Sequence, residues 1–103
     1  MIKVSVMYPN GAGATFDMPY YLNSHMPMVG RKLGTALKRM AIDEGLAGGQ
    51  PGSQPAYLAM CHLYFDSVEE FGAGFAEHGA AIQADIPNYT NTQPVIQISA
   101  VKM

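Results

Sequence analysis

Between Tyr57 and Phe65 the chain carries large residues on alternating sides, Leu58, Met60 and Tyr64 against Cys61, Leu63 and Phe65. Such a run reads as a β-strand, because two-residue alternation sends successive side chains to opposite faces. A strand apolar on both faces has to be covered twice. Three other segments share the period. Ile2, Val4, Val6 and Tyr8 fall on one face of a first strand that Pro9-Asn10-Gly11-Ala12-Gly13 ends, Leu37 to Asp43 reads as a second, and Val95 to Val101 as the last.

Two segments have helical character. Asp17 is placed to cap a helix starting near Met18, with Pro19 tolerated in a first turn whose amides have no intrahelical partner. Pro27 would meet the carbonyl of Asn23, so this helix is expected to end or kink there and resume as a turn through Leu33 before Gly34. Ser67-Val68-Glu69-Glu70 forms a capping box. Behind it Val68, Phe71, Phe75, Ile82 and Ile86 make one stripe, weakened by Gly72, Gly74 and Gly79 and stopped by Pro87. The turn-rich stretch from Gly45 to Pro55 has no periodicity and is expected to be mobile.

The order is strand, helix, strand, strand, helix, strand. At 103 residues this fills one domain, 1–103, and predicts an α+β, ferredoxin-like four-stranded antiparallel sheet with both helices on one face. Two helices leave the other face bare. An isologous homodimer that stacks two sheets would bury it.

Composition narrows the partners. Hydrophobic residues are 49% and charged residues 14%, too apolar for a disordered chain, and the eight Met add to the surface that needs hiding. Six Lys+Arg against eight Asp+Glu, with no basic run, lack the footprint of nucleic-acid binding. Nothing approaches the ~20 apolar residues of a membrane span, and Met1 leads straight into a strand pattern instead of a signal peptide, so no membrane partner and a cytoplasmic location are expected. The single cysteine, Cys61, permits no internal disulfide and reads as inert strand packing.

His25 is the most informative titratable residue. At about 100° per residue it lies in one arc with Met18, Tyr21, Leu22 and Val29, pointing inward. It is either a core histidine satisfied by a carbonyl or a tyrosine, or a pocket-lining acid, base or donor, work that suits a group titrating near neutrality. Tyr21 points the same way as His25 and could orient a bound oxygen; Tyr20 lies on another side. His62 shares a strand side with Tyr64, and both are candidate ligand-binding residues, although alternation cannot say whether that side meets the helices. His78 flanks the stripe of the second helix, where a surface or interface role is expected. Separations of 37 and 16 residues between the histidines match no compact metal site, and Gly11-Ala12-Gly13 lacks the rest of a nucleotide loop. No cofactor is expected. Asn88-Tyr89-Thr90 is a glycosylation sequon without use in a cytoplasmic chain.

Two segments carry a resemblance. Tyr20-Tyr21-Leu22-Asn23-Ser24-His25-Met26-Pro27-Met28-Val29, an aromatic pair followed by His-x-Pro, resembles the helix-one signature of the EthD family. Asp85-Ile86-Pro87-Asn88-Tyr89-Thr90 with Pro94-Val95-Ile96-Gln97-Ile98-Ser99 is similar to that family's C-terminal segment. The resemblance implies a dimeric α+β barrel of two ferredoxin-like subunits and a link to bacterial ethyl tert-butyl ether degradation beside a cytochrome P450 system. Wider relatives of the barrel include cofactor-free monooxygenases, muconolactone isomerases and polyketide cyclases, which hold a small apolar substrate between helices and sheet. His25 falls on the family's histidine, and Asp85, Pro87 and Asn88 on its C-terminal motif, which makes Asp85 and Asn88 candidate ligand-binding residues. Ala100 stands where many members carry a glutamate, so any role of that carboxylate is absent here.

Three functions compete on this basis. One is a cofactor-free oxidoreductase or isomerase acting on a small apolar molecule, with His25 moving a proton and Tyr21 orienting an oxygen. The second is a binding protein that carries such a molecule unchanged, and the third a dimeric scaffold for an oxidative system. A pocket holding His25 beside another titratable or phenolic group favours the first.

Overall fold

The computed structural model describes residues 1–103. Strand β1 (Ile2–Pro9) leads into α1 (Met18–Tyr20), a π-helical turn (Tyr21–His25) and α2 (Met26–Leu33). Strands β2 (Arg39–Glu44) and β3 (Tyr57–Phe65) follow, then α3 (Val68–Ala84), a short 3-10 turn (Ile86–Asn88) and β4 (Val95–Ala100). The sheet is antiparallel throughout, in the order β2-β3-β1-β4, with both helical segments against one face. This is the α+β, ferredoxin-like arrangement expected from the order of the elements.

Register decides what faces what. Val4 pairs with Leu63, Val6 with Cys61 and Tyr8 with Ala59, so these side chains share the face beneath the helices. Val4, Tyr8, Ala59, Cys61, Leu63 and Phe65 are buried there. Leu58, Met60, His62 and Tyr64 therefore point to the opposite, open face, with Ser5 beside His62 and Lys3 beside Tyr64. That face is more mixed than its apolar strand residues suggest, since Arg39, Asp43, Gln97 and Ser99 also reach it.

The first helix is disturbed before Pro27 and resumes through Leu33, as a regular helix where a turn was expected. The turn just before the proline widens to the π register, with the Met26 N–H donating to the Tyr21 carbonyl, and Pro27 then sits in the first turn of α2. The wider turn accommodates a residue that cannot donate, a recognised way of absorbing an irregularity in a helix. It also shifts the phase of the face: Leu22, expected inside, is exposed, while Met26 joins Tyr21, His25, Val29 and Leu33 in the core. Gly34, at φ +58°, ends the helix in the left-handed region where glycine carries no steric penalty.

Smaller differences occur at other ends. Strand β2 begins at Arg39 instead of Leu37, and the second helix stops at Ala84, with Pro87 inside the 3-10 turn. Asp17 caps α1 through its side chain, which accepts from the Tyr20 N–H. Ser67 accepts from the Glu70 N–H at 3.2 Å, one half of the expected capping box. Val68 is exposed, but Phe71, Phe75, Ile82 and Ile86 pack on the core. A Cβ at Gly79 would stand 2.8 Å from the Phe75 ring, so this glycine makes room for a side chain that lines the interior.

Candidate functional site

A cavity of about 70 Å³ lies between helices and sheet, and fifteen of its eighteen lining residues are hydrophobic. His25 and Gln83 are its only lining residues with polar side chains other than tyrosine and cysteine. His25 is 3% exposed. Its position follows from the π-helical turn, which it closes, and from Tyr21, whose ring stacks on the imidazole at 5.3 Å and 15°.

One side of the imidazole is tied down. His25 Nδ1 lies 2.9 Å from Asp85 Oδ2, and the other carboxylate oxygen accepts from the Tyr20 hydroxyl at 2.7 Å and from Asn88 Nδ2 at 2.9 Å. Asp85 is available for this because α3 ends at Ala84 and the 3-10 turn folds Asn88 back over it. Burial opposes ionisation of Asp85, but the hydrogen bonds from Asn88, Tyr20 and His25 outweigh it and hold the carboxyl below its ordinary value. An ionised carboxylate only accepts, so Nδ1 carries the proton and Nε2 the lone pair.

Burial in this apolar setting lowers the affinity of His25 for a second proton, and Asp85 opposes that shift only in part. The neutral imidazole therefore presents a basic Nε2 to the cavity. The Tyr89 hydroxyl lies 3.4 Å from Nε2 and 2.7 Å from the Tyr8 hydroxyl. Tyr89 is brought here by the pairing of its segment with the loop after β1: the Asp17 N–H donates to the Tyr89 carbonyl at 2.7 Å, and Phe16 bridges to Thr90. Burial raises the pKa of the Tyr89 and Tyr8 phenols, so both stay protonated and able to donate.

The expected residues fall into two groups. His25, Tyr21 and Asp85 come together, with Asn88 supporting Asp85, yet neither Asp85 nor Asn88 lines the cavity: they hold the histidine from behind. Tyr21 lies in the cavity wall with its phenol among Tyr8 and Cys61, which with burial raises its pKa, and it meets His25 through its ring. The hydroxyl next to Nε2 belongs to Tyr89, whose one signal in the sequence is its spacing of four residues from Asp85 across a turn. Tyr20, placed on another side of its helix, proves to be a ligand of Asp85.

His62 and Tyr64 are on the far face of the sheet and do not meet the cavity. His62 bridges Ser5 Oγ, 2.9 Å from Nδ1, and Asp43 Oδ2, 3.4 Å from Nε2, and Tyr64 lies under the Arg39 guanidinium at 5.2 Å. The Asp43–His62–Ser5 row resembles a hydrolytic triad only in its residue types. Ser5 sits mid-strand in β1, whose backbone is paired on both sides, so no neighbouring amides are free to form an oxyanion hole. His78 lies on α3 beside Glu77, away from the cavity. Burial pushes the Cys61 thiol up to about 11, the inert form expected of packing. Nowhere do three His, Cys, Asp or Glu side chains converge as metal ligands, and no helix is long and apolar enough to cross a membrane.

A small α+β domain with an Asp-anchored histidine facing an apolar cavity beneath its helices is thus the class of protein defined here. The EthD domain model matches residues 12–93, and the chain belongs to the EthD family. It is 50% identical to an EthD-like protein from Ralstonia eutropha, whose crystal structure it matches over 99% of this chain and 92% of that one, with a TM-score of 0.95. An EthD family protein from Bacillus halodurans shares 21% identity over 99% of both chains, with a TM-score of 0.75, and so supports the fold alone. An uncharacterised 11.0 kDa protein in the thcB-thcC intergenic region of Rhodococcus erythropolis is 32% identical over 93 residues, 88% of this chain and 85% of that protein.

Proposed function

We propose that the chain binds a small apolar molecule between helices and sheet and that His25, held by Asp85, moves a proton on it. The observation that carries this reading is the division of one imidazole: Nδ1 is bound to a carboxylate, and the histidine otherwise faces an apolar cavity. A neutral imidazole in such a setting is a general base, and the adjacent carboxylate stabilises the imidazolium that forms when it accepts a proton. Within the Tyr8–Tyr89 pair one hydroxyl donates to the other, which leaves a single O–H to donate to an oxygen on the substrate, the role first assigned to Tyr21. Returning the proton to a different carbon would make the protein an isomerase; passing electrons from the deprotonated substrate to dioxygen would make it a cofactor-free oxidoreductase. Membership of the EthD family supports a place in oxidative catabolism, of an ether or a related xenobiotic, alongside a cytochrome P450 system.

The same reading takes the active form to be a cytoplasmic homodimer joined through the open sheet face. Leu58, Met60 and Tyr64 on that face give a partner something to bury. A binding protein without chemistry remains the second reading, favoured by the hydrophobic lining.

The test is His25→Ala, compared with the parent for folding and for binding of small apolar fragments followed by NMR. A functional histidine leaves a folded protein with weakened binding or turnover. Unchanged binding with a markedly lower melting temperature would reduce His25 to a core residue.

A further inference from the structure

A second, more polar space adjoins the cavity. Gln83, Ile86, Pro94 and Ile96 line both the apolar cavity and a wider recess of about 570 Å³, which runs out past the 3-10 turn toward the start of β4. Ile96, 47% exposed, is one of the side chains that stand between the two.

None of the nine residues lining the recess is Asp, Glu, Lys, Arg or His, although seven of the nine are not hydrophobic. Three of these already use their side chains within the chain. The Thr90 hydroxyl donates to the Thr15 carbonyl at 2.7 Å, Asn91 accepts from the Thr15 N–H and donates to the Gly13 carbonyl, and the Thr92 hydroxyl donates to the Pro9 carbonyl at 3.0 Å. Gln83, at the mouth of the cavity, and Gln93, beside it, are the remaining amides, each with both donors and an acceptor to offer.

We infer that the ligand of this cavity is an amphipathic molecule whose apolar head lies beneath the helices and whose polar end, lying in the recess against Gln83 and Gln93, is uncharged: a hydroxyl, ether, carbonyl or amide. The inference rests on the reading of the cavity as a ligand site and adds the chemical class of what enters it. A carboxylate or phosphate in the recess would meet no counter-charge in the lining, and the ionised Asp85 behind the same turn would repel it. A cation would find no carboxylate in the lining, since Asp85 already accepts from Tyr20, Asn88 and His25. A neutral polar group needs only hydrogen bonds, which two amides provide at little desolvation cost. Gln83 thereby becomes the specificity-determining residue, because it belongs to both spaces.

Four probes with one branched head separate these cases: 4-methylpentan-1-ol, 4-methylpentanamide, 4-methylpentanoate and 4-methylpentylamine. Each is titrated into the full chain, uniformly labelled with 15N, and followed by amide and side-chain NMR shifts. The alcohol and the amide are expected to shift resonances of both Val29 and Gln83, and to bind about tenfold tighter than the two charged probes. In Gln83→Lys, the carboxylate should gain about three- to fivefold while the alcohol and the amide gain nothing. Equal or tighter binding of a charged probe to the parent overturns the inference, as does failure of Gln83→Lys to improve carboxylate binding. Shifts confined to the cavity, with Gln83 and Gln93 silent, also overturn it while leaving the cavity as a ligand site. Failure of every probe to move cavity resonances removes both readings together.

Discussion

His25 and Asp85, sixty positions apart in sequence, meet at 2.9 Å between Nδ1 and Oδ2, with the histidine buried and the carboxylate 19% exposed. The pair is asymmetric in a useful way. Solvent and two further donors stabilise the anion on one side, while the imidazole extends that stabilisation into a compartment that water barely reaches. Chemistry at Nε2 is therefore backed by a charge that does not itself occupy the cavity.

Asp85→Asn should preserve the shape of the carboxylate and remove its charge. Since Asp85 raises the proton affinity of His25 against the effect of burial, the His25 titration midpoint should fall further below that of the parent. NMR of the imidazole measures this directly, and turnover should fall in parallel because the imidazole becomes a weaker base. An unchanged midpoint would mean that the Nδ1–Oδ2 hydrogen bond does not form in solution. The stability cost should be about 1.5 kcal/mol, the low end for a hydrogen bond to a charged group, because Asp85 keeps some access to water.

Acid should weaken the fold in two stages. The folded-state pKa of His25 lies below the ordinary imidazole value of 6.5, so the unfolded chain takes up the proton first, and stability declines as pH falls from about 6.5 through the lower folded value. Asp85, also depressed in the folded state, adds stability that is fully present above the unfolded carboxyl value of 3.8 and lost as pH falls through the folded one. Melting temperature measured from pH 8 to pH 3 should therefore drop first near neutrality. In His25→Ala the upper stage should disappear, and its persistence there would assign it to another group.

Tyr89→Phe removes the hydroxyl beside Nε2 and leaves the buried Tyr8 hydroxyl without its 2.7 Å partner. A loss of about 1–3 kcal/mol is expected by chemical denaturation. The double variant Tyr8→Phe/Tyr89→Phe should recover part of it, because two apolar groups leave nothing unsatisfied. Strict additivity of the two single losses would show that the phenols do not act as a pair.

A homodimer joined through the open face should sediment at about twice 11.1 kDa at micromolar concentration. Met60→Glu places a charge on that face beside Asp43 and should give a folded monomer, detected as a halved mass with unchanged far-UV circular dichroism. A parent protein that is already a folded monomer would remove the dimer.

Alternation and capping were legible in the sequence because they are local. Strand faces follow from a two-residue period, Asp17 and Ser67 cap amides within three positions of themselves, and His25 points inward on any helical period near the ideal one. The π-helical turn was not legible. Pro27 signals a disturbed register, but the chain could kink, stop or widen, and packing of Tyr21, Met26 and Val29 on the sheet chooses the last. The partner of His25 was likewise a matter of tertiary structure, since periodicity directs a side chain relative to its own axis and says nothing of what another segment brings to meet it. The same reason separates His62 from His25: alternation put His62 with Tyr64, and only the pairing of β1 with β3, together with the side on which the helices packed, placed both across the sheet from the cavity.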